Sequence, residues 1–485
     1  MGVLSGLKPE PVFHYFEEIC KIPHISHHEK ALSDYCVRFA KERGYECTQD
    51  EMGNVIIIAE PTPGYEEVPA VIVQGHLDMV GDKAADCDID MEEEGPRVYV
   101  DGDYIRAEGT TLGGDNGIAL AYMLALLDAK NGEIPHPRVE AVFTVCEEVG
   151  LLGASALDLS PCLARRMLNI DSEVEGILTA GCAGGRRTCC RIPIERVCRT
   201  GVRCRLDLTG LAGGHSGMEI DKGRANGAVL MGRFLMFLMG KMYYDLVSFT
   251  AGTKENVIPK SGSAVLLVPE GEEKHLREAI EKFSGYMEVE YGKADPDIRL
   301  ELTVGNAEEC RAVEKESLTG VLTALNLMPN GVQAMSMDLP GLVESSINMG
   351  VAELAEEELI IRQSVRSSVA SAKDFISEKV ALLAKQLGGR VDFQGDYPAW
   401  PYARNSKLRD LCVEIFKKQY GYEPKIELMH AGLECGILSD KLEGLDCISF
   451  GPDQFDIHTP NEHVSISSAA RVWEYLKAIL AAKQS

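Results

Sequence analysis

Five apolar runs in this chain each end in a carboxylate or an imidazole, and any fold it adopts must bring those polar ends to one place or leave buried charge without compensation. The runs are AVIVQGHLDM with His76 and Asp78, TTLGGDNGIAL with Asp115, VFTVCEEVG with Glu147 and Glu148, RMLNIDSE with Asp171, and SFGPDQFDIHTPNE with His458. Buried strands read as runs of this kind, and open α/β sheets bind ligands beyond the carboxyl ends of their parallel strands. Mixed nitrogen and oxygen donors with one carboxylate shared between two sets are a donor chemistry for divalent cations, zinc first, with Mn²⁺ or Co²⁺ as substitutes.

A chain of 485 residues with 45% hydrophobic content exceeds what one core usually sustains, so two domains are expected. Helical and strand patterns alternate over the first 180 or so residues. Amphipathic helices are predicted over 9–20 and 28–43, the second closed by Gly44, and another over 117–128. Strands are predicted over 55–58, 70–73, 139–145 and 167–170. This pattern favours an α/β fold with a mostly parallel central sheet and helices on both faces. After Gly185 the pattern becomes richer in alternation, and two similar strand-helix-strand units follow, the first leading from NVIPKSGSAVLLVPE through a helix near 272–287, the second from SSINMGVAELAEEELIIRQSVRSS through a helix near 372–387. Helices at 406–420 and 465–482 restore the α/β pattern. Since His458 lies in that last part, residues 1–192 and 395–485 are expected to form one catalytic di-metal domain, and residues 193–394 an inserted α+β lid or dimerisation domain.

Each candidate ligand has a plainer reading. Asp115 directly precedes a helix and could be its N-cap. A lone His76 could sit satisfied in a core. The spacing His76-Leu77-Asp78 argues otherwise, because alternate residues of a strand face one side, where Asp78 can orient the imidazole. Glu147 and Glu148 are neighbours at a strand end, so one can face a cation and the other a substrate. His463 competes with His458, but it stands close to the last helix and reads as structural. Ser26-His27-His28-Glu29 fits a capping box. His215 lies in the glycine-rich GLAGGHSGMEI, which lacks the lysine and hydroxyl of a phosphate loop.

The formal net charge of −26 disfavours nucleic acid and anionic membrane surfaces as partners. Fifteen cysteines without a repeated C-x-x-C argue for a reducing compartment, and Cys182, Cys189, Cys190, Cys198 and Cys204 read as small buried apolar groups. No leader-like segment and no long apolar span is seen, which makes a cytoplasmic location the expectation.

The ordered motifs GHLDM, GGDNGIA, EEVGLLGA, NIDSE and HTPNE resemble the di-zinc peptidases related to aminoacylase and glutamate carboxypeptidase. With GCAGG, GLAGGHSGMEIDKGRANGAVL, VESSINMG and HAGLECGIL, nearly the whole chain looks like the bacterial aminoacyl-histidine dipeptidase branch of that family. The resemblance implies one zinc on His76 and Asp171, a second on Glu148 and His458, and Asp115 bridging them. It further implies Asp78 as the orienting partner of His76, Glu147 as general base, and His215 as the group that stabilises the oxyanion. Arg366 would bind the substrate carboxylate, with Asn256 and the Gly432 loop completing that pocket. The implied reaction is hydrolysis of Xaa-His dipeptides, and relatives of this kind allow a homodimer that donates the histidine across subunits. The same metal pair could instead serve an N-acyl amino acid deacylase, a desuccinylase or a tripeptidase, or persist in a peptide-binding protein without turnover.

Overall fold

The computed structural model describes residues 2–130 and 133–483. The chain divides into two compact units, one of Met1–Cys182, Tyr402–Leu428 and Leu433–Ser485, the other of Ala183–Pro401 and Met429–Gly432.

In the first unit eight strands form one sheet in the order Glu46–Gln49, Val55–Ala59, Val139–Thr144, Val71–His76, Arg166–Asn169, Asp446–Ser449, Ile177–Cys182 and Lys425–Met429. Its centre is parallel: Val71–His76 runs between Val139–Thr144 and Arg166–Asn169, and the latter takes Asp446–Ser449 on its other side. Antiparallel pairs flank this centre. Val55–Ala59, Val71–His76 and Val139–Thr144 are buried at every position, which is why they read as apolar runs without alternation. The helix Glu10–Cys20 buries Val12, Tyr15, Phe16 and Ile19, an i, i+3, i+4, i+7 stripe, with Phe13 and Cys20 beside it. Gly114–Asp128 is buried all round from Asn116 to Leu127 and is a core helix. Lys30–Arg43 stops at Gly44, whose φ of 76° is the left-handed conformation that glycine adopts without strain.

The parallel register sets the height of the strand ends. His76 lies opposite Thr144 and Gln74 opposite Asn169, so His76, Glu147–Glu148 and Asp171 all emerge from one edge.

The second unit is built on a nine-stranded antiparallel sheet, in the order Arg299–Val313, Arg196–Thr209, Gly262–Val268, Asp245–Ala251, Val343–Leu354, Glu358–Ser367, Gly184–Pro193 and Arg390–Tyr397, with Gly331–Met335 also pairing Val343–Leu354. Helices Glu273–Tyr291 and Ala370–Gln386 follow strands in the two segments where the sequence predicts strand-helix-strand units. Its core gathers Phe234, Phe283, Leu325 and Ile361. The strand Gly184–Pro193, on the near side of a boundary expected at 192/193, pairs along its length with Glu358–Ser367 of this sheet.

Two local expectations are corrected. Ser26 and Glu29 do not form a capping box: Glu29 is itself the N-cap residue and makes no side-chain cap bond. Ser26 Oγ donates instead to Asp78 at 2.8 Å, and Glu29 accepts the Cys146 N–H at 3.0 Å, so both side chains are taken up by the buried strand ends. Of the five clustered cysteines, Cys182, Cys190 and Cys204 are buried, whereas Cys198 is exposed; all fifteen are free thiols. No helix among the described residues is long and apolar enough to cross a membrane.

Ser406 ties a late helix to this sheet. Its Oγ caps Lys407–Tyr420 by accepting from Arg409 N at 2.9 Å and donates to Asp446 at 2.6 Å, at the start of a central strand. Ser406→Ala is therefore expected to cost about 1–2 kcal/mol in urea unfolding; a midpoint and slope equal to the parent's would show that the tie contributes nothing.

Candidate metal centre

Five side chains meet at the parallel strand ends of the first unit. Asp115 places Oδ1 3.1 Å from His76 Nε2 and Oδ2 3.2 Å from His458 Nε2. Each imidazole has a second carboxylate: Asp171 Oδ1 lies 3.3 Å from His76 Nε2, and Glu148 Oε1 lies 2.9 Å from His458 Nε2. His76, Asp115 and Glu148 each offer a donor atom within 4.8 Å of the others. The arrangement is two imidazole-carboxylate pairs joined through one aspartate.

Local structure explains how each group is aimed. His76 ends its strand, and its Nδ1 lies 2.9 Å from the Asp78 carbonyl oxygen, which fixes the proton on Nδ1 and leaves the Nε2 lone pair free. The Asp78 carboxylate is more distant, with Oδ1 3.6 Å from that nitrogen. It accepts instead from Glu147 N at 2.9 Å, Glu148 N at 3.2 Å and Ser26 Oγ. Asp78 therefore orients the imidazole through its main chain and holds the paired glutamates through its side chain.

Asp115 is not an N-cap. The helix is capped at Gly113, with φ 74°, and Asp115 itself has a non-helical backbone joined to Asn116 by a cis peptide bond. Glu462, at the end of HTPNE, accepts from the N–H groups of Leu112, Gly113, Gly114 and Asp115 at 2.7 to 3.3 Å and so replaces the cap. Asn116 ties three ligand segments together, donating to Ile170 O at 2.6 Å and Asp171 Oδ1 at 2.9 Å while accepting from His76 N at 3.3 Å. A side chain at Gly75 would run into Asn116, so the glycine of GHLDM is needed for this close approach. His458 has a φ of 61° and Cys146, preceding Glu147, a φ of 52°. Non-glycine residues in this conformation carry strain of order 1–3 kcal/mol that the surrounding contacts must outweigh. His463 sits apart, stacked on Phe455 and edge-on to Tyr104, with Nδ1 2.8 Å from Asn461 O.

Charge at the centre is crowded. Burial pushes Glu147, Glu148 and Asp171 above the usual carboxylate range, and neighbouring carboxylates add to the effect. Burial also lifts Glu173 and Glu462 to about 7. Desolvation works against the imidazolium forms, yet Asp171 and Asp115 hold His76 well above its ordinary value, and hydrogen bonds from Asp115 and Glu148 carry His458 to about 11. Asp115 is held low by the two imidazoles despite its burial. Protons occupy the positions where positive charge is wanted, and the mixed donors suit divalent cations. The residues present fit a metal.

The remaining sequence candidates lie in the second unit. His215 Nδ1 faces the N–H groups of Gly217 and Met218, both at 3.3 Å, which leaves Nε2–H as a donor. Burial and the nearby Arg366 lower its pKa and keep it neutral. Arg366 is 7% exposed; one of its N–H groups reaches Tyr397 Oη at 3.3 Å, and its Nε has no partner among the described residues. Asn256 is exposed and meets the His215 loop through its main chain, Ser216 N donating to its carbonyl at 2.9 Å. Gly432 lies against the Tyr397 ring, which any side chain there would strike.

Sequence reasoning passed over His430. It stands in the quoted HAGLECG, its Nε2 lies 2.7 Å from Ser346 Oγ, and burial together with Arg366 lowers its pKa to about 3. The register pairs Ser346 with Arg366, so a cation, a hydroxyl and two neutral imidazoles belong to one polar cluster.

The chain matches the model of peptidase family M20/M25/M40 over residues 72–482. It is 34% identical over 482 residues to the cytosol non-specific dipeptidase of Escherichia coli strain K12, covering 99% of each chain. The solved structure of the aminoacylhistidine dipeptidase of Vibrio alginolyticus is similar with a TM-score of 0.89 at 34% identity, again over 99% of both chains. Aminopeptidase PepT from Bacillus cereus shares the fold at a TM-score of 0.56 and 15% identity, over 98% of both. With the family model spanning every segment of the metal centre, this chain belongs to peptidase family M20/M25/M40.

Proposed function

We propose that this protein is a cytoplasmic dipeptidase that hydrolyses Xaa-His dipeptides of the carnosine type with two zinc ions. The observation that carries the proposal is the Asp115 carboxylate, which turns one oxygen to each of two imidazoles that have carboxylates of their own. His76 and Asp171 would hold one cation, Glu148 and His458 the other, with Asp115 shared; Mn²⁺ or Co²⁺ suits the same donors. Full-length likeness to two proteins named as dipeptidases supports the substrate class, and one of them is named for aminoacyl-histidine. The net charge of −26 supports a free small peptide, and not nucleic acid or a membrane, as the partner.

Bound cations would supply Lewis acidity to the scissile carbonyl and the attacking water. The chain's own residues do the rest. Glu147 stands outside both ligand pairs, and its backbone is fixed by Asp78. Burial raises its carboxyl, which suits a group that takes the proton of water and returns it to the departing amine. His215, donating from Nε2, would stabilise the oxyanion of the tetrahedral intermediate, from its own chain or across a homodimer. Arg366 brings a buried guanidinium with a free N–H to the substrate carboxylate, with the Asn256 and Gly432 segments around it.

Zinc-loaded protein is expected to turn over β-alanyl-histidine faster than an N-acetyl amino acid or a tripeptide; preference for either of those would place it in another branch. Glu147→Ala should keep its metal while losing about 10²–10⁴ in kcat, and measured metal content beside turnover checks both halves. Arg366→Ala should raise KM for dipeptides more than for their C-terminal amides, and equal effects on the two would remove it from the carboxylate pocket. Because the imidazoles of the metal-free protein are drawn toward their protonated forms, cation binding must expel protons. Zinc affinity should thus fall as pH falls, by up to about tenfold per unit for each proton displaced. Calorimetry in two buffers of different ionisation enthalpy counts those protons, and a count of zero would contradict the ligand assignment.

A further inference from the structure

Beneath the strand ends lies a polar layer that neither the ligand set nor the reaction uses. Gln74, Thr144, Asn169 and Glu434 are each 0% exposed. The first three come from adjacent parallel strands, and Glu434 opens the helix Glu434–Lys441. Asn169 Nδ2 donates to Gln74 Oε1 at 2.6 Å; Gln74 Nε2 and Thr144 Oγ1 both donate to Glu434 Oε2, the latter at 2.6 Å. Two acceptors in this layer, Glu434 Oε1 and Asn169 Oδ1, have no partner.

A wholly buried carboxylate with one oxygen unsatisfied is costly. Among the described residues no lysine or arginine is bonded to it. Strand alternation puts Gln74 and His76 on one face, two residues and about 6.6 Å apart along the strand. Thr144 lies opposite His76 in the register and three residues before Glu147. Glu434 therefore sits one rung below the ligands and grips two of the three strands that carry them.

We infer that Glu434 is a positioning residue of the metal centre, a buried carboxyl group that aligns the His76 and Glu147–Glu148 strand ends by accepting from Gln74 and Thr144. The inference rests on the metal-centre reading above. Its test is the isosteric Glu434→Gln in the full-length chain, stripped by a chelator and titrated with Zn²⁺ alone and with Co²⁺ alone. The Zn²⁺ Kd should rise about tenfold, and the visible spectrum of the Co²⁺ form should shift. A Kd within twofold of the parent's overturns the inference, as does a lower metal-free melting temperature with an unaltered Co²⁺ spectrum, the mark of a purely structural role. Should the glutamine variant fail to fold, Thr144→Val removes the Oγ1 bond to Glu434 at nearly unchanged shape and must raise the Zn²⁺ Kd; a Kd within twofold of the parent's is equally fatal. Failure of the parent chain itself to bind Zn²⁺ would instead sink the metal-centre reading.

Discussion

One aspartate carboxylate, shared between two imidazoles, is the contact around which the first unit is organised. Asp115 can reach both His76 and His458 only if the chain before its helix leaves the helical path, and Glu462 makes that departure tolerable by accepting the four N–H groups it exposes. Asn116, next in sequence, locks the same turn onto the His76 and Asp171 strands. Without these partners the negative groups at the strand ends would repel one another. With them, repulsion is converted into affinity for cations.

Two kinds of anchoring hold these carboxylates. Asp78 and Glu462 are satisfied by main-chain N–H groups and behave as structural acceptors. Asp115, Glu148 and Asp171 instead face imidazoles, which on the proposed function would exchange their protons for metal. Carboxylates that fix the backbone are thereby separate from those that face the solute. In the second unit the division is repeated in miniature: His215 spends Nδ1 on the loop that carries it, and Arg366 keeps Nε free.

Much of the first unit was legible because its strands are buried on both faces and end in polar residues. The apolar runs at 55–58, 139–145 and 167–170 correspond to strands within a residue or two, and Val71–His76 extends three residues beyond the run expected at 70–73, to His76 itself. Less legible were groups whose roles depend on partners hundreds of residues away. Glu462 lies 350 residues from Leu112 and Glu434 lies 290 from Thr144, and no local periodicity announces either. Ser26 and Glu29 have capping-box spacing, but tertiary demand from Asp78 and Cys146 outweighs the local cap. His430 was hidden differently: it stands in a recognisable motif, where attention fell on the glycine two residues on.

The central sheet is completed late in the chain. Asp446–Ser449 fills the place between Arg166–Asn169 and Ile177–Cys182, strands made more than 260 residues earlier. During synthesis the nascent polypeptide must therefore hold a gap in its core, and a half-built cation cradle, while the whole inserted unit emerges from the ribosome. A chain that stops before Asp446 lacks both this strand and His458, so on the proposed function hydrolysis waits for the last strand of the sheet.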